Sequence, residues 1–294
     1  MLAIVRSLFS RIVDYAGLFP PSELGMAEVV RTYLEVGADE RRWLLGKLIV
    51  PVARLDDVME TFAPVQREFP TASWDLSVVL KTGTDAEISQ ALRWRVEGPE
   101  SLKITSLELP SLSAGEIRLR HVPIDLDVFF EVDLAANNEK EIAAIARRGA
   151  CAKMRAGGLH ADAFPPAEQV ARFLLDCRAA GVPFKATAGL HHPMRGCWPL
   201  GTTSDSDTAE MHGFLNLAVA AAFVHVGQAD QATVVKILGE PSPDGFQFDA
   251  ETLSWGERSL SLGSVDEVRR VFFRSFGSCS FSEPFRGLQE VNLV

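Results

Sequence analysis

No two cysteines in this chain are spaced Cys-x-x-Cys; the four present, Cys151, Cys177, Cys197 and Cys279, are scattered. That pattern argues against a zinc knuckle or a disulfide framework and points to reduced thiols in a cytoplasmic protein. Clusters of Lys and Arg are missing too. With a formal net charge of −10 the chain would repel a phosphate backbone, so no nucleic-acid partner is expected. His-x-His and His-Glu-x-x-His spacings, the usual marks of a metal site, do not occur. The amino terminus, MLAIVRSLFSRIVDYAG, is interrupted by Arg6 and Arg11 and lacks the long apolar core of a signal peptide. The longest apolar run, Leu215 to Val226, is too short to span a bilayer and reads as a buried helix, so no membrane association is expected. No biased tail and no solenoid period is found.

What the chain does have is an ample core composition, 47% hydrophobic with 9% aromatic residues, over 294 residues. That length is close to the size at which one α/β barrel closes, so residues 1–294 are read as one domain. Short β-branched or aromatic runs alternate with amphipathic stretches, as repeated βα units with a parallel sheet require. Eight such runs are found, at 11–17, 46–52, 74–80, 102–110, 127–133, 150–158, 183–192 and 274–281. Helices are expected at 22–36, 55–68, 84–96, 113–120, 138–148, 165–180 and 283–291. Start signals mark several of them: Pro20-Pro21-Ser22, Asn137-Asn138 and Pro165-Pro166. Gly149 and Gly181 stand where carboxyl caps belong. The fold class that follows is a (β/α)8 TIM barrel.

One connection departs from the repeat. Residues 193–263, between the seventh and eighth strands, form a long insertion with a polar loop GTTSDSDTAE, an apolar helix at 211–226, a second helix and a hairpin-like FQFDAETLSWGERSL. Two roles fit it equally: a lid or wall over the pocket, or a homo-oligomer contact.

Alternation along a strand decides which polar residues share the barrel interior. It groups Phe129, Glu131 and Asp133 on strand five, Cys151, Lys153 and Arg155 on strand six, and Lys185, Thr187, Gly189 and His191 on strand seven; Glu108 ends strand four. Charges in apolar strands cost several kcal/mol unless paired, so they serve either as a catalytic interior or as a buried ion-pair cluster, such as Glu131 with Lys153 or Arg155. A lysine near other cations in a desolvated pocket is disfavoured as ammonium and becomes a nucleophile toward carbonyls. Lys153, with Arg155 and Lys185 nearby, meets that description. A Schiff base would then stabilise the carbanion-like enamine of a C–C cleavage, with Glu131 or Asp133 moving protons.

The stretch FFEVDLAANNEKEIAAIARRGACAKMRAGG, followed by PPAEQVARFLLDCRAAGVPFKATAGL, resembles the fifth-to-seventh-strand region of the deoxyribose-phosphate aldolase group of class I aldolases, over residues 127–190. The family pattern is an acidic strand, a helix, a Lys-Thr-Ser-Thr-Gly-like strand, a helix and a Lys-x-x-Gly-Gly-like strand. The resemblance implies that Lys153 is the Schiff-base lysine and Lys185 the second lysine that disfavours its protonation. Gly189 would then lie near the glycine of the phosphate-binding turn. It also implies that Ser278, in SFGSCS, belongs to a phosphate-holding turn, and it leaves Glu108 to stand for the proton-relay aspartate of strand four. Met154-Arg155-Ala156 replaces the small hydroxyl residues of the family.

The expectation is therefore a class I aldolase-like lyase without a cofactor, acting on a small-molecule substrate, an oxygenated anionic carbonyl compound held by Arg155, Glu108, Thr187, Gly189, His191 and Ser278. A second reading is a metal-dependent lyase or hydrolase with a divalent metal on His191, Glu131 and Asp133, with His160, His212, Asp205 and Asp207 in neighbouring loops. A third is a barrel that binds a metabolite without catalysis. Asp14 and Tyr15 read as turn or substrate-contact residues, Lys47 as an interior or strand-starting residue, and Cys279 as a buried thiol rather than a nucleophile.

Overall fold

A computed structural model describes residues 1–65, 68, 74–121, 123–200 and 207–294. Its strands in chain order are β1 (Val13–Tyr15), β2 (Leu45–Pro51), β3 (Trp74–Val79), β4 (Leu102–Leu109), β5 (Asp127–Val132), β6 (Cys151–Arg155), β7 (Phe184–Thr187), β8 (Gly196–Pro199), β9 (Thr208–Met211), β10 (Phe246–Phe248), β11 (Thr252–Trp255), β12 (Arg258–Ser261) and β13 (Phe273–Ser278). The first seven and β13 close a barrel in the order β1-β13-β7-β6-β5-β4-β3-β2. Every pairing within it is parallel, so the chain is an α/β (β/α)8 TIM barrel.

The helices are α1 (Ala3–Phe9), α2 (Met26–Ala38), α3 (Leu55–Val65), α4 (Asp85–Glu97), α5 (Ala114–Leu119), α6 (Glu139–Arg147), α7 (Ala167–Ala180), α8 (Phe214–His225), α9 (Gln231–Leu238), α10 (Leu262–Val271) and α11 (Ser282–Glu290). Local chemistry fixes several of their ends. Ser113 and Glu116 form a reciprocal capping box at the start of α5, and Asp230 accepts from Thr233 N at 2.9 Å at the start of α9. Gly149 and Gly181 adopt positive φ after α6 and α7, at 61° and 65°. Pro20-Pro21-Ser22 does not start a helix. The chain there stays in a loop, and α2 begins four residues beyond the expected position, after an extended Gly25. Two helices escape sequence reading, α1 and α10. α1 has only seven residues and packs against α10, which also packs against α8 and β13.

Residues 193–263 serve the barrel more than they cover it. α8 is apolar on all sides, and every residue from Phe214 to Val224 is buried, packed against α7, α9, α10 and β13. It therefore fills the helix layer between β7 and β13. The antiparallel hairpin β8–β9 and the three-stranded sheet β10-β11-β12 are the additions. Residues 201–206 of the polar loop, with Asp205, lie outside the described residues. Among the described residues no helix is long and apolar enough to cross a membrane.

Candidate active site

The barrel interior carries a column of alternating charge. At its centre Lys185, wholly buried on β7, donates to Asp14 Oδ2 of β1 and to Glu108 Oε1 of β4, both at 2.6 Å. The other oxygen of the same Glu108 carboxylate faces Lys153 Nζ of β6 at 3.5 Å. Lys153 also lies 3.1 Å from Glu131 of β5, which in turn meets Arg155 Nε at 3.5 Å. Register explains the assembly. Glu131 pairs with Lys153, and Lys153 with Lys185, so the three side chains stand side by side on adjacent strands.

Neutral hydroxyls complete the network. Ser77 donates to Glu108 Oε1 at 2.7 Å, Ser106 to Ser77 at 2.8 Å, and Ser275 to Asp14 Oδ2 at 2.6 Å. Beneath Lys185 lies the Phe129 ring, with Nζ 5.4 Å from its centroid, a favourable cation–π position.

Burial and charge act on these groups in opposite directions. Burial pushes the Glu108 carboxyl up, but the ammonium groups of Lys185 and Lys153 and the hydrogen bonds from Lys185 and Ser77 outweigh it and hold it at about 2. Burial likewise pulls Lys185 down, and the two carboxylates on it more than reverse that, leaving it above its ordinary value. Lys185 was expected to present an uncompensated positive charge to Lys153. Instead its charge is matched on both sides, because Asp14 and Glu108 close on it.

Above the column, at the carboxyl ends of the strands, opens a cavity of about 280 Å³. Glu108 and Lys153 form part of its lining, with Arg155, Thr187, Gly189, His191 and Ser278 around them. The loops after β6 and β7 meet closely here. Gly189 has φ +72°, and a side chain on it would come within 2.7 Å of the Gly157 Cα. Ser278 Oγ donates to Ser280 O at 2.7 Å, which folds the turn after β13 against the cavity.

Family models, curated proteins and solved structures give no match.

Lys153, Arg155, Thr187, Gly189 and His191 share this cavity, whereas Glu131 lines a neighbouring pocket with Asp133 and Phe129 lines the opposite mouth; besides Lys185, Asp133 and His191 also depart from expectation. Asp133 falls just past β5 and is exposed. Its Oδ1 accepts from Ala135 N at 3.0 Å and its carbonyl from Asn138 Nδ2 at 2.5 Å, so it shapes the turn into α6 instead of reaching Lys153. His191 borders the cavity, yet its Nδ1 lies 2.8 Å from Glu283 Oε2 of α11, on the side away from β5.

The metal set of His191, Glu131 and Asp133 is thereby dispersed, each engaged by a different element. Among the described residues no group of three or more His, Cys, Asp and Glu is arranged to hold a metal ion. His212 is buried with Nε2 2.7 Å from Pro165 O, His192 stacks on Trp198 with centroids 3.8 Å apart, and His160 and Asp207 are exposed.

The insertion is corrected in the same way. Among the described residues, none of 193–263 lines the cavity, because the apolar α8 draws this segment into the outer layer. Lys47 faces inward at the opposite end, 3.6 Å from Asp127. Cys279 borders the cavity, but burial pushes its thiol up, against service as a nucleophile.

Sequence reading passes over Ser77, Ser106 and Ser275, and reads Asp14 as a turn or substrate-contact residue and not as a partner of Lys185. The available signal was a polar residue inside an otherwise apolar strand, which Asp14 gives in RIVDY and Ser77 in WDLSVVL.

Proposed function

We propose that this chain is a class I, Schiff-base aldolase-like lyase, acting in the cytoplasm on a small, oxygenated, anionic carbonyl compound. One observation carries the reading: the Lys153 amine borders the carboxyl-end cavity between two carboxylates, at the open end of a buried column of alternating charge. A cavity of about 280 Å³ suits a small molecule. All four cysteines are free, in keeping with a reducing compartment.

In this reading Glu131, 3.1 Å away, takes a proton from Lys153, and the free amine attacks the substrate carbonyl carbon. A C–N bond forms, the carbonyl oxygen leaves as water, and a protonated imine results. That iminium carries the same single positive charge as the ammonium it replaces, so the alternation of the column is kept through the step. The carboxylate of Glu131 then accepts the proton of the substrate hydroxyl as the adjacent C–C bond breaks, and the bonding pair moves toward nitrogen as an enamine. Return of a proton to the enamine carbon and addition of water to the imine release the second product and restore the lysine.

Lys185 and Asp14 act as positioning residues, since they fix the carboxylate of Glu108 against Lys153. Arg155, more than half exposed, and the turn at 277–279 are placed to hold the anionic group.

Borohydride reduction in the presence of short hydroxyaldehydes, with and without a phosphate group, tests the proposal. Mass mapping should find a reduction-dependent adduct on the peptide of Lys153, absent from Lys153→Arg. No adduct with any aldehyde, or one on another lysine, would overturn it.

A further inference from the structure

The mouth at the amino-terminal end of the barrel has no part in the reaction proposed above, yet it opens into a larger cavity of about 730 Å³, bordered by α1, α10 and the first residues of β2, β5 and β13. Its charges do not balance. Asp127 is matched by Arg274 at 2.8 Å and Lys47 at 3.6 Å, Asp14 is held by Lys185 at 2.6 Å, and Arg11 pairs with Asp75 outside the cavity. What remains is Arg6, Arg269 and Arg270 against Asp266, whose carboxylate accepts from the Ser7 hydroxyl. Among the described residues neither Arg6 nor Arg270 has an acidic partner, and both are exposed toward the cavity mouth.

Arg269 adds an independent sign. Its two terminal nitrogens donate to the carbonyls of Phe273 and Ser10, but its Nε is buried without a partner. Burial disfavours its charge, Asp14 offsets part of that, and Arg274 adds to it. Buried donors without a partner occur elsewhere among the described residues, Arg120 Nε and Arg148 Nε included, but only this one belongs to a residue of the cavity lining, beside two guanidinium groups without an acidic partner. An anion entering the mouth would pair with Arg6 and Arg270 and offset the positive charge gathered around Arg269. Guanidinium forks take phosphate or carboxylate oxygens in bidentate fashion, and several converging forks favour a ligand with more than one charge.

We propose that the amino-terminal mouth is a second ligand site, taking a multiply charged anion of metabolite size on Arg6, Arg269 and Arg270. The cavity shares Asp14 with the buried column, so an occupant there lies one ion pair from Lys185.

Calorimetric titration of the full chain with inorganic pyrophosphate and, separately, with citrate tests the site and distinguishes phosphate from carboxylate ligands. One saturable site is expected for at least one of them, weakening as salt is raised. The Arg6→Ala/Arg270→Ala variant removes exposed side chains, so it should fold normally and bind about tenfold or more weakly, the loss of at least one charge-assisted hydrogen bond. Lys140→Ala, on the exposed face of α6, should bind as the parent does. Absence of saturable binding by both anions, or an equal loss in Lys140→Ala, would refute the proposal. Neither outcome bears on the borohydride result.

Discussion

Lys185→Met isolates the energetics of the buried column. The substitution keeps an unbranched chain of similar length and removes the ammonium that donates to Asp14 and Glu108. All three residues are at most 2% exposed, so water cannot replace the lost cation. Breaking a buried pair by removing one partner costs about 3–5 kcal/mol. Lys153 still faces Glu108 at 3.5 Å, and Asp14 keeps its hydrogen bonds from Ser275 and from Lys47 N, so about 3 kcal/mol at neutral pH is the reasoned value.

The pH dependence separates this from a packing defect. In the parent, Glu108 is held at about 2 against an ordinary 4.5. Its contribution is therefore fully present above the unfolded value and lost as pH falls through the folded one, a change of about 3 kcal/mol. In the variant Glu108 loses its larger cationic partner while its burial remains, so the penalty is greatest at neutral pH and is relieved as that carboxylate takes up a proton on acidification. Urea unfolding followed by far-ultraviolet circular dichroism between pH 7 and 4 should show the gap between parent and variant narrowing steadily. A gap below about 1 kcal/mol at neutral pH, or one independent of pH, would show that the column is not a buried, mutually dependent set of charges.

Lys153→Met should leave the fold intact and abolish imine trapping, with turnover of any substrate identified falling about a thousandfold or more. In native thiol labelling, exposed Cys197 should react first, whereas Cys151, pushed up to about 12 by burial, and the wholly buried Cys177 should stay protected until unfolding. Asn216 is wholly buried and serves Arg195 N, Ile237 O and Glu240 O at 2.9, 3.0 and 2.8 Å; Asn216→Leu should lower unfolding stability by about 2–4 kcal/mol through the unmatched backbone groups. Gly189→Ala forces a side chain into positive φ and against Gly157, and should cost about 1–3 kcal/mol by thermal unfolding while weakening substrate binding more than it affects the fold.

Periodicity and punctuation in the sequence were enough to determine the barrel. Eight apolar runs separated by amphipathic stretches admit few other closed arrangements, and the strands fall on the runs at 11–17 through 274–281, β2 and β13 each starting one residue earlier, because each buries both faces locally. Strand parity also brought Glu131, Lys153 and Lys185 together, since alternation is a local property that register preserves across β5, β6 and β7.

Other features depended on contacts that sequence distance hides. Asp14 reaches Lys185 across 171 positions, made possible only when β13 closes the ring between β1 and β7. On β4 the register slips at Thr105: Leu76 pairs with Ile104 but Ser77 with Ser106. Counting from the start of that strand therefore puts Ser106 and Glu108 on the wrong side. Asp133 failed for the converse reason, because β5 ends at Val132 and alternation no longer governs a turn. α1 is too short to announce itself and is buried against α10, which itself packs on α8 and β13 at the end of the long insertion. Local pattern thus decided which elements form and which way most strand residues point; closure of the barrel decided which charges meet, because pairing across a ring depends on register and not on spacing along the chain.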